Sequence, residues 1–364
     1  LFKGAELLIL DEPTSVLTPQ EIQDLFRLLY ELRDGGCTII FISHKLNEVM
    51  QISDRITVLR DGKVIQTVDK GQTNPNELSR LMVGREVATT LERNPCCVGE
   101  ACLALEHIVL QDKVGRGILK DISLGVCSGE IVGVAGVDDN GQTELAEVIA
   151  GLRLPSAGSI HMFGEEVTHA TTRQRIEKGL SFIPADRRNQ GLVVDSSIAE
   201  NFILEIYYRQ PFTRGITLNR TAIRDYAQRL IHEYDVRTPS SNVPAKNLSG
   251  GNQQKVIVGR EIAKTPKFLL VMQPTWGLDV GAIEYVHRKL MEEKEKGLAI
   301  LLISTDLEEI RKLSDRFVIL YGGEIVGYAD STTPVEEVGL MMVGSKRMVS
   351  PQSDPKEVTL GTTE

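Results

Sequence analysis

Basic charge, long apolar runs, cysteine and aromatic residues are all scarce in this chain of 364 residues. Lys and Arg number 41 against 50 Asp and Glu, a net charge of −9. That balance gives no electrostatic footprint for nucleic acid. No apolar run approaches the ~18 residues a membrane-spanning helix needs, so no stretch is expected to cross a bilayer. The five cysteines are an odd number. Cys96, Cys97 and Cys102 lie near no second ligand pair, so they read as reduced thiols rather than a disulfide framework or zinc site. Aromatics make up 5% of residues, with Trp276 the single tryptophan. Apolar residues at 41% and charged residues at 25% match a globular chain with a sizeable core. At about 100–200 residues per domain, the length suits two or three domains. The chain begins with Leu1 rather than Met and is read here as a fragment.

An unbroken apolar run at 6–10 suits a strand buried on both faces. A helix is expected next, with Thr18 as N-cap, Pro19 at the first helical position and Glu21 completing a capping box. Apolar residues then recur at Ile22, Leu25, Phe26, Leu29 and Leu32 until Gly35 and Gly36 end the pattern. A second apolar strand is expected at 38–42, and segments 56–59 and 64–68 flank Asp61 and Gly62 as a hairpin. Strand, helix and strand in that order make a parallel α/β unit.

Residues 43–65 align without gaps on 304–326, an offset of 261. Ser43, Leu46, Glu48, Ser53, Asp54, Arg55, Leu59 and Gly62 all recur 261 residues on, and Pro13 and Thr14 land on Pro274 and Thr275. Two copies of one domain are therefore expected. The first, at 1–85, lacks its front; a linker follows at 86–100; the second, at 101–346, is nearly whole. A tail at 347–364, rich in Ser, Thr, Pro and Asp, is expected to be disordered.

In the second copy an apolar strand at 130–135 runs into Gly136, Val137, Asp138, Asp139, Asn140, Gly141, Gln142 and Thr143, followed by a helical stretch at 144–150. This is the frame of a phosphate-binding loop, Gly-x4-Gly-Lys-Ser/Thr between strand and helix. Glycines let backbone N–H groups approach phosphate, and the helix start favours an anion. Gln142 stands where the lysine would be. Leu248, Ser249, Gly250, Gly251, Asn252, Gln253 and Gln254 then precede a helical run at 256–263, another set of open N–H groups at a helix start.

That loop, the Leu-Ser-Gly-Gly-x-Gln signature and the strand ending in Pro274 and Thr275 together resemble the ATP-binding cassette (ABC) family. The resemblance covers nearly the whole chain outside linker and tail. It implies an α/β fold, a P-loop NTPase of ABC type, with a RecA-like parallel core, an antiparallel β subdomain and a helical signature subdomain. ATP and Mg²⁺ are the implied cofactors. Asp11 and Glu12 match the Walker B carboxylates, Asp11 for the Mg²⁺ shell and Glu12 for the attacking water, and His44 matches the switch histidine. Ser15, Leu17, Leu278 and Asp279 match the D-loops. Adding 261 to Asp11, Glu12 and His44 reaches Met272, Gln273 and Thr305, which supply neither a metal ligand nor a base. No aromatic residue stands between Ala101 and Ala135 to stack adenine, so the second copy's own site is expected to be non-hydrolytic.

Members of the family work as head-to-tail sandwiches, so one active site is expected to join Asp11, Glu12 and His44 to Ser249, Gly250 and Gly251. Positions 261 residues before Gly136 and Leu248 fall ahead of Leu1, so the first copy's own loop and signature are expected outside this chain. Further segments resemble the tandem ATPase subunits of bacterial simple-sugar and nucleoside importers, among them Phe182 to Arg187, Tyr234 to Pro239 and Gln273 to Ala282. Arg237, Thr238 and Pro239 before the signature tilt the reading toward nucleosides. Trp276 departs from the usual Arg, for which packing between the copies is considered, and Ala185 departs from the usual Glu. The implied partners are two transmembrane permeases, docked near 184–201 on the cytoplasmic face of the membrane, and an extracytoplasmic substrate-binding lipoprotein. Soluble ribosome-associated tandem ABC proteins are the alternative, but these carry long charged linkers and two equipped sites.

Overall fold

The computed structural model describes residues 5–14, 17–60, 62–84 and 99–348. Ser15, Asp61, residues 86–98 of the expected linker and the tail beyond Met348 lie outside the described residues.

Strand β1 (Leu7–Asp11) leads through α1 (Pro19–Asp34) to β2 (Thr38–Ile42), which pairs parallel with β1. Helix α1 starts as its capping box dictates. The Thr18 side chain accepts the Glu21 N–H, and the Glu21 carboxylate accepts the Thr18 N–H at 2.8 Å. Helix α2 (Leu46–Ile52) precedes the antiparallel hairpin of β3 (Arg55–Arg60) and β4 (Lys63–Asp69), and α3 (Pro75–Val83) closes this segment.

After β5 (Ala101–Gln111) and β6 (Gly117–Cys127) come β7 (Ile131–Ala135) and α4 (Gln142–Ala150), then β8 (Ala157–Met162) and the short β9 (Glu165–Glu166). Helix α5 (Thr172–Lys178) and β10 (Leu180–Ile183) lead to a mostly helical stretch. It holds α6 (Ile198–Phe202), a small hairpin of β11 (Thr213–Arg214) and β12 (Thr217–Leu218), α7 (Arg220–Glu233) and α8 (Gly250–Ala263). The chain then returns through β13 (Phe268–Met272), α9 (Val280–Glu295), β14 (Ala299–Ser304), α10 (Leu307–Leu313), β15 (Arg316–Tyr321), β16 (Glu324–Ala329) and α11 (Val335–Met342).

Six strands form the central sheet in the order β10-β13-β14-β7-β15-β16, all parallel except β16. Every residue of β7, β13 and β14 is buried, as an all-apolar strand covered on both faces requires. The pleat divides their side chains between two cores. Val132, Val134, Leu270 and Leu301 pack with α4 and the antiparallel sheet of β5, β6 and β8, while Leu269, Val271, Ile300 and Leu302 pack with α8 to α11. Each such fully buried side chain contributes about 1.5–3 kcal/mol.

The 261-residue offset holds in the backbone. Displaced by 261, β1, α1, α2 and β3 coincide in bounds with β13, α9, α10 and β15. The register Leu7↔Thr38 recurs as Phe268↔Ala299, and the hairpin irregularity between Val58 and Leu59 recurs between Ile319 and Leu320. One difference stands out. Strand β7 joins β14 to β15, whereas β1–β2 and β3–β4 are separate two-stranded sheets. Leu7, Ile9, Ile40 and Ile42 accordingly expose 46% to 59% of their surface.

Arg347 and Met348, which the sequence assigned to the tail, are tied to β16. Arg347 donates to Glu324 at 2.8 Å, and the Met348 N–H donates to the Val326 carbonyl at 2.9 Å.

Candidate functional site

The carboxyl ends of β7, β13 and β14 lie side by side, with Ala135 opposite Ser304 and Met272 opposite Ile303. Strand order turns at β7, and in open α/β sheets ligands bind in the crevice beyond the strand ends at such a point. Three loops leave from this edge: Gly136 to Gly141, the residues after Met272 and those after Ser304.

The loop after β7 is closed on itself. Gln142, 5% exposed, turns its amide back into the loop, donating to the Val137 carbonyl at 2.7 Å and accepting the Asn140 N–H at 3.1 Å. Asn140 fixes the loop from the other side, taking the Gly322 N–H on its side-chain oxygen at 2.7 Å. Gly136 must be glycine, since a Cβ there would lie 2.6 Å from the Leu320 carbonyl oxygen. Desolvation, with the charge of Asp139 adding to it, pushes the Asp138 carboxyl up. Two acidic side chains and a committed amide thus occupy a loop whose frame would cradle phosphate, and these residues fit the phosphates of a magnesium nucleotide poorly. Thr143 is exposed at the start of α4.

Past β13 and β1 the backbone takes one shape and carries two chemistries. Glu12 and Gln273 have φ of 45° and 46°, and their N–H groups donate to Ile42 at 2.9 Å and Ile303 at 2.8 Å. The Glu12 carboxylate lies 2.6 Å from His44 Nδ1. At the equivalent place the Gln273 amide donates to the Thr305 hydroxyl at 3.1 Å. Asp11 is exposed, while Met272 is 8% exposed and packs into the core beside α4. A carboxylate at a strand end suits Mg²⁺, which is bound by one or two carboxylates together with phosphate oxygens. Asp11 therefore fits that ion and Met272 does not.

Beneath these loops lies a pair that the sequence reading left without a role. Thr14 donates to Glu48 at 2.6 Å and Thr275 to Glu309 at 2.7 Å. Glu309 also meets His287 Nε2 at 2.9 Å. Burial alone would raise the Glu309 carboxyl, but hydrogen bonds from His287, Ser304 and Thr275 hold it below its usual range. The available signal was the recurrence of this glutamate in the repeat.

The signature forms the first turn of α8, which begins at Gly250, six residues ahead of the expected start at 256. Two glycines disfavour a helix by about 1 kcal/mol each, but Ser249 caps the turn. Its hydroxyl accepts from the Asn252 backbone at 3.5 Å and side chain at 2.9 Å. Leu248 is buried, Ser249 is exposed, and Gln253 is anchored to the Ala245 carbonyl at 3.1 Å. In the second D-loop Leu278 is buried and Asp279 caps α9 by accepting the Ala282 N–H at 2.9 Å. Leu17 is half-buried. Trp276 is 58% exposed, and its carbonyl accepts from Arg187 at 2.6 Å.

The ABC transporter family profile matches residues 119–275. The guanosine import ATP-binding protein NupO of Bacillus subtilis is 47% identical over 346 residues, 95% of this chain and 68% of that protein. The chain belongs to the ABC transporter family. Among other ABC relatives, the nucleoside import ATP-binding protein NupA of Lactococcus lactis is 43% identical, covering 94% of this chain and 68% of that protein. The glucose import ATP-binding protein TsgD13 of Haloferax volcanii is also 43% identical, covering 94% and 63%. The chain thus spans about two thirds of the length of these relatives. A dimeric ATP-binding cassette bound to ADP and phosphate shares the ABC fold at a TM-score of 0.55 and 21% identity, over 64% of this chain and 99% of that one. The ABC-type P-loop NTPase fold is thereby established, and the chain belongs to the ABC class of ATPases.

Proposed function

We propose that this chain is the ATP-hydrolysing part of a nucleoside importer, built from two tandem copies of one ABC domain. Residues 1–85 form the closing part of the first copy, 86–100 the linker and 101–346 the second. The observation that carries the reading is the Glu12–His44 contact of 2.6 Å, set against the neutral Gln273–Thr305 contact at the same place in the repeat. Glu12 orients the attacking water and accepts its proton, and His44 holds that carboxylate and reaches toward the γ-phosphate. Asp11 holds the Mg²⁺ shell, and the ion, when bound, neutralises phosphate charge. Gln273 accepts no proton and Met272 holds no metal-bound water, so the second copy's site does not hydrolyse.

Hydrolysis takes place where Asp11, Glu12 and His44 face Ser249, Gly250 and Gly251. An approximate twofold relation between the repeats supports this composite arrangement. Asn47 donates to Glu308 at 3.1 Å, and those two positions are 261 residues apart. Helix α3 packs against α9 while α1, the repeat partner of α9, packs against α11.

The relatives named for guanosine and nucleoside import favour a nucleoside as cargo, and the glucose import relative makes a simple sugar the second reading. In this reading two permeases dock over 184–201 at the cytoplasmic face, and a binding lipoprotein delivers the solute outside. Among the described residues no helix is long and apolar enough to cross a membrane. The test is uptake of labelled guanosine by vesicles containing the complete protein and its permeases. ATP-dependent uptake that unlabelled nucleosides compete and glucose does not is the expected result; the reverse pattern makes the cargo a sugar.

A further inference from the structure

Arg187 joins three segments that lie far apart in sequence. Its guanidinium donates to the Trp276 carbonyl at 2.6 Å and to the Gly277 carbonyl at 3.2 Å, just ahead of Asp279. It also lies against the signature, since a Cβ on Gly250 would sit 3.1 Å from Arg187 Nη2. The next signature glycine touches the same D-loop, because a Cβ on Gly251 would lie 3.0 Å from the Ala282 Cβ and 3.5 Å from the Asp279 carboxylate.

Arg187 also opens a single π turn, Arg187–Gly191, closed by the Gly191 N–H donating to the Asp186 carbonyl at 2.9 Å. The far end of that turn grips α8 again, where the Gly191 carbonyl accepts from Arg260 at 2.8 Å. One five-residue turn thus lies against the first turn of α8 and is hydrogen-bonded to it near its last. The adjacent Asp186 does not divert the guanidinium, because its carboxylate accepts the Arg188 and Asn189 N–H groups at 2.9 Å and the Asn189 amide at 2.7 Å.

We propose that Arg187 is the positioning residue that ties 184–201 to the signature turn and the D-loop and sets both for hydrolysis. This rests on the reading of 249–251 as part of the composite site. A planar fork spans two carbonyls, and a lysine ammonium on a flexible stem does not hold the same pair. Loss of the fork leaves nucleotide binding in place and misplaces groups that act in the closed state, so it lowers kcat and spares KM.

The experiment uses the complete protein assembled with its permeases in liposomes, with ATP hydrolysis and solute uptake measured together. Arg187→Gln is expected to lower kcat between about 10- and 100-fold, with KM within about twofold, and to move less solute per ATP hydrolysed. Arg187→Lys, which keeps the charge, is expected to fall between Arg187→Gln and wild type, and it carries the test if Arg187→Gln fails to assemble. Ser249→Arg, run alongside, is expected to be inactive. Unchanged kcat and coupling in the Arg187 variants beside an inactive Ser249→Arg overturns the proposal alone. A rate loss matched by lost folded protein, or a raised KM at unchanged kcat, overturns it as well. Normal turnover in Ser249→Arg overturns the proposal together with the composite site beneath it.

Discussion

Glu12 and Gln273 hold the same left-handed backbone place, φ 45° and 46°, one residue beyond two strands displaced by 261 residues. For residues with a Cβ this conformation costs roughly 1–2 kcal/mol, and in both cases the N–H is fixed to the neighbouring strand. The shape of the site is retained where the carboxylate is not. On one backbone shape the two positions thus carry a carboxylate bonded to His44 and an amide bonded to Thr305.

Glu12→Gln in the assembled transporter is expected to lower ATP hydrolysis by about 10² to 10⁴ while leaving ATP binding in place. Phosphate release and binding of labelled ATP, measured on the same preparation, check both halves. Loss of binding in parallel with turnover would assign Glu12 to holding the nucleotide instead.

The reciprocal change, Gln273→Glu, is expected to restore little. Met272 still offers no ligand, Thr305 no imidazole, and the Gln142 amide still closes the loop. Adding Glu12→Gln to Gln273→Glu makes the measurement clean, because any turnover then comes from the repaired site. A rate near wild type would refute the assignment of the second site as inactive.

For the 364-residue chain by itself, phosphate release is expected to be far below that of the complete transporter. Its described phosphate loop carries Gln142 in place of lysine, and that side chain is hydrogen-bonded within the loop. Steady-state turnover at the rate of the assembled protein would contradict this.

Acid should weaken the fold through Glu309. Its carboxyl is held below the usual range in the native state, so the unfolded chain takes up that proton first as pH falls. The stabilisation is complete above the unfolded value of about 4.3 and disappears as pH drops through the lower native value. Glu309→Gln is expected to lower stability at neutral pH by about 1–3 kcal/mol, by disturbing the buried bonds to His287 and Thr275, and to flatten the acid limb. Urea midpoints from about pH 7 down to about pH 3 measure both effects.

The sequence by itself determined what depends on neighbours a few residues away. Thr18, Ser249 and Asp279 cap their helices because each side chain reaches an N–H three residues on. The apolar runs became the strands of a parallel sheet, and the recurrence of Pro13, Thr14 and Glu48 marked the repeat that the backbone follows. Tertiary structure alone decided how side chains meet across long separations. Nothing local indicates that Gln142 folds back into its own loop, that Trp276 offers its carbonyl and leaves its ring exposed, or that Arg187 spans 89 residues to reach it. Those outcomes are set by which strands lie side by side at the sheet edge and by which buried donors still lack acceptors once the two cores have closed.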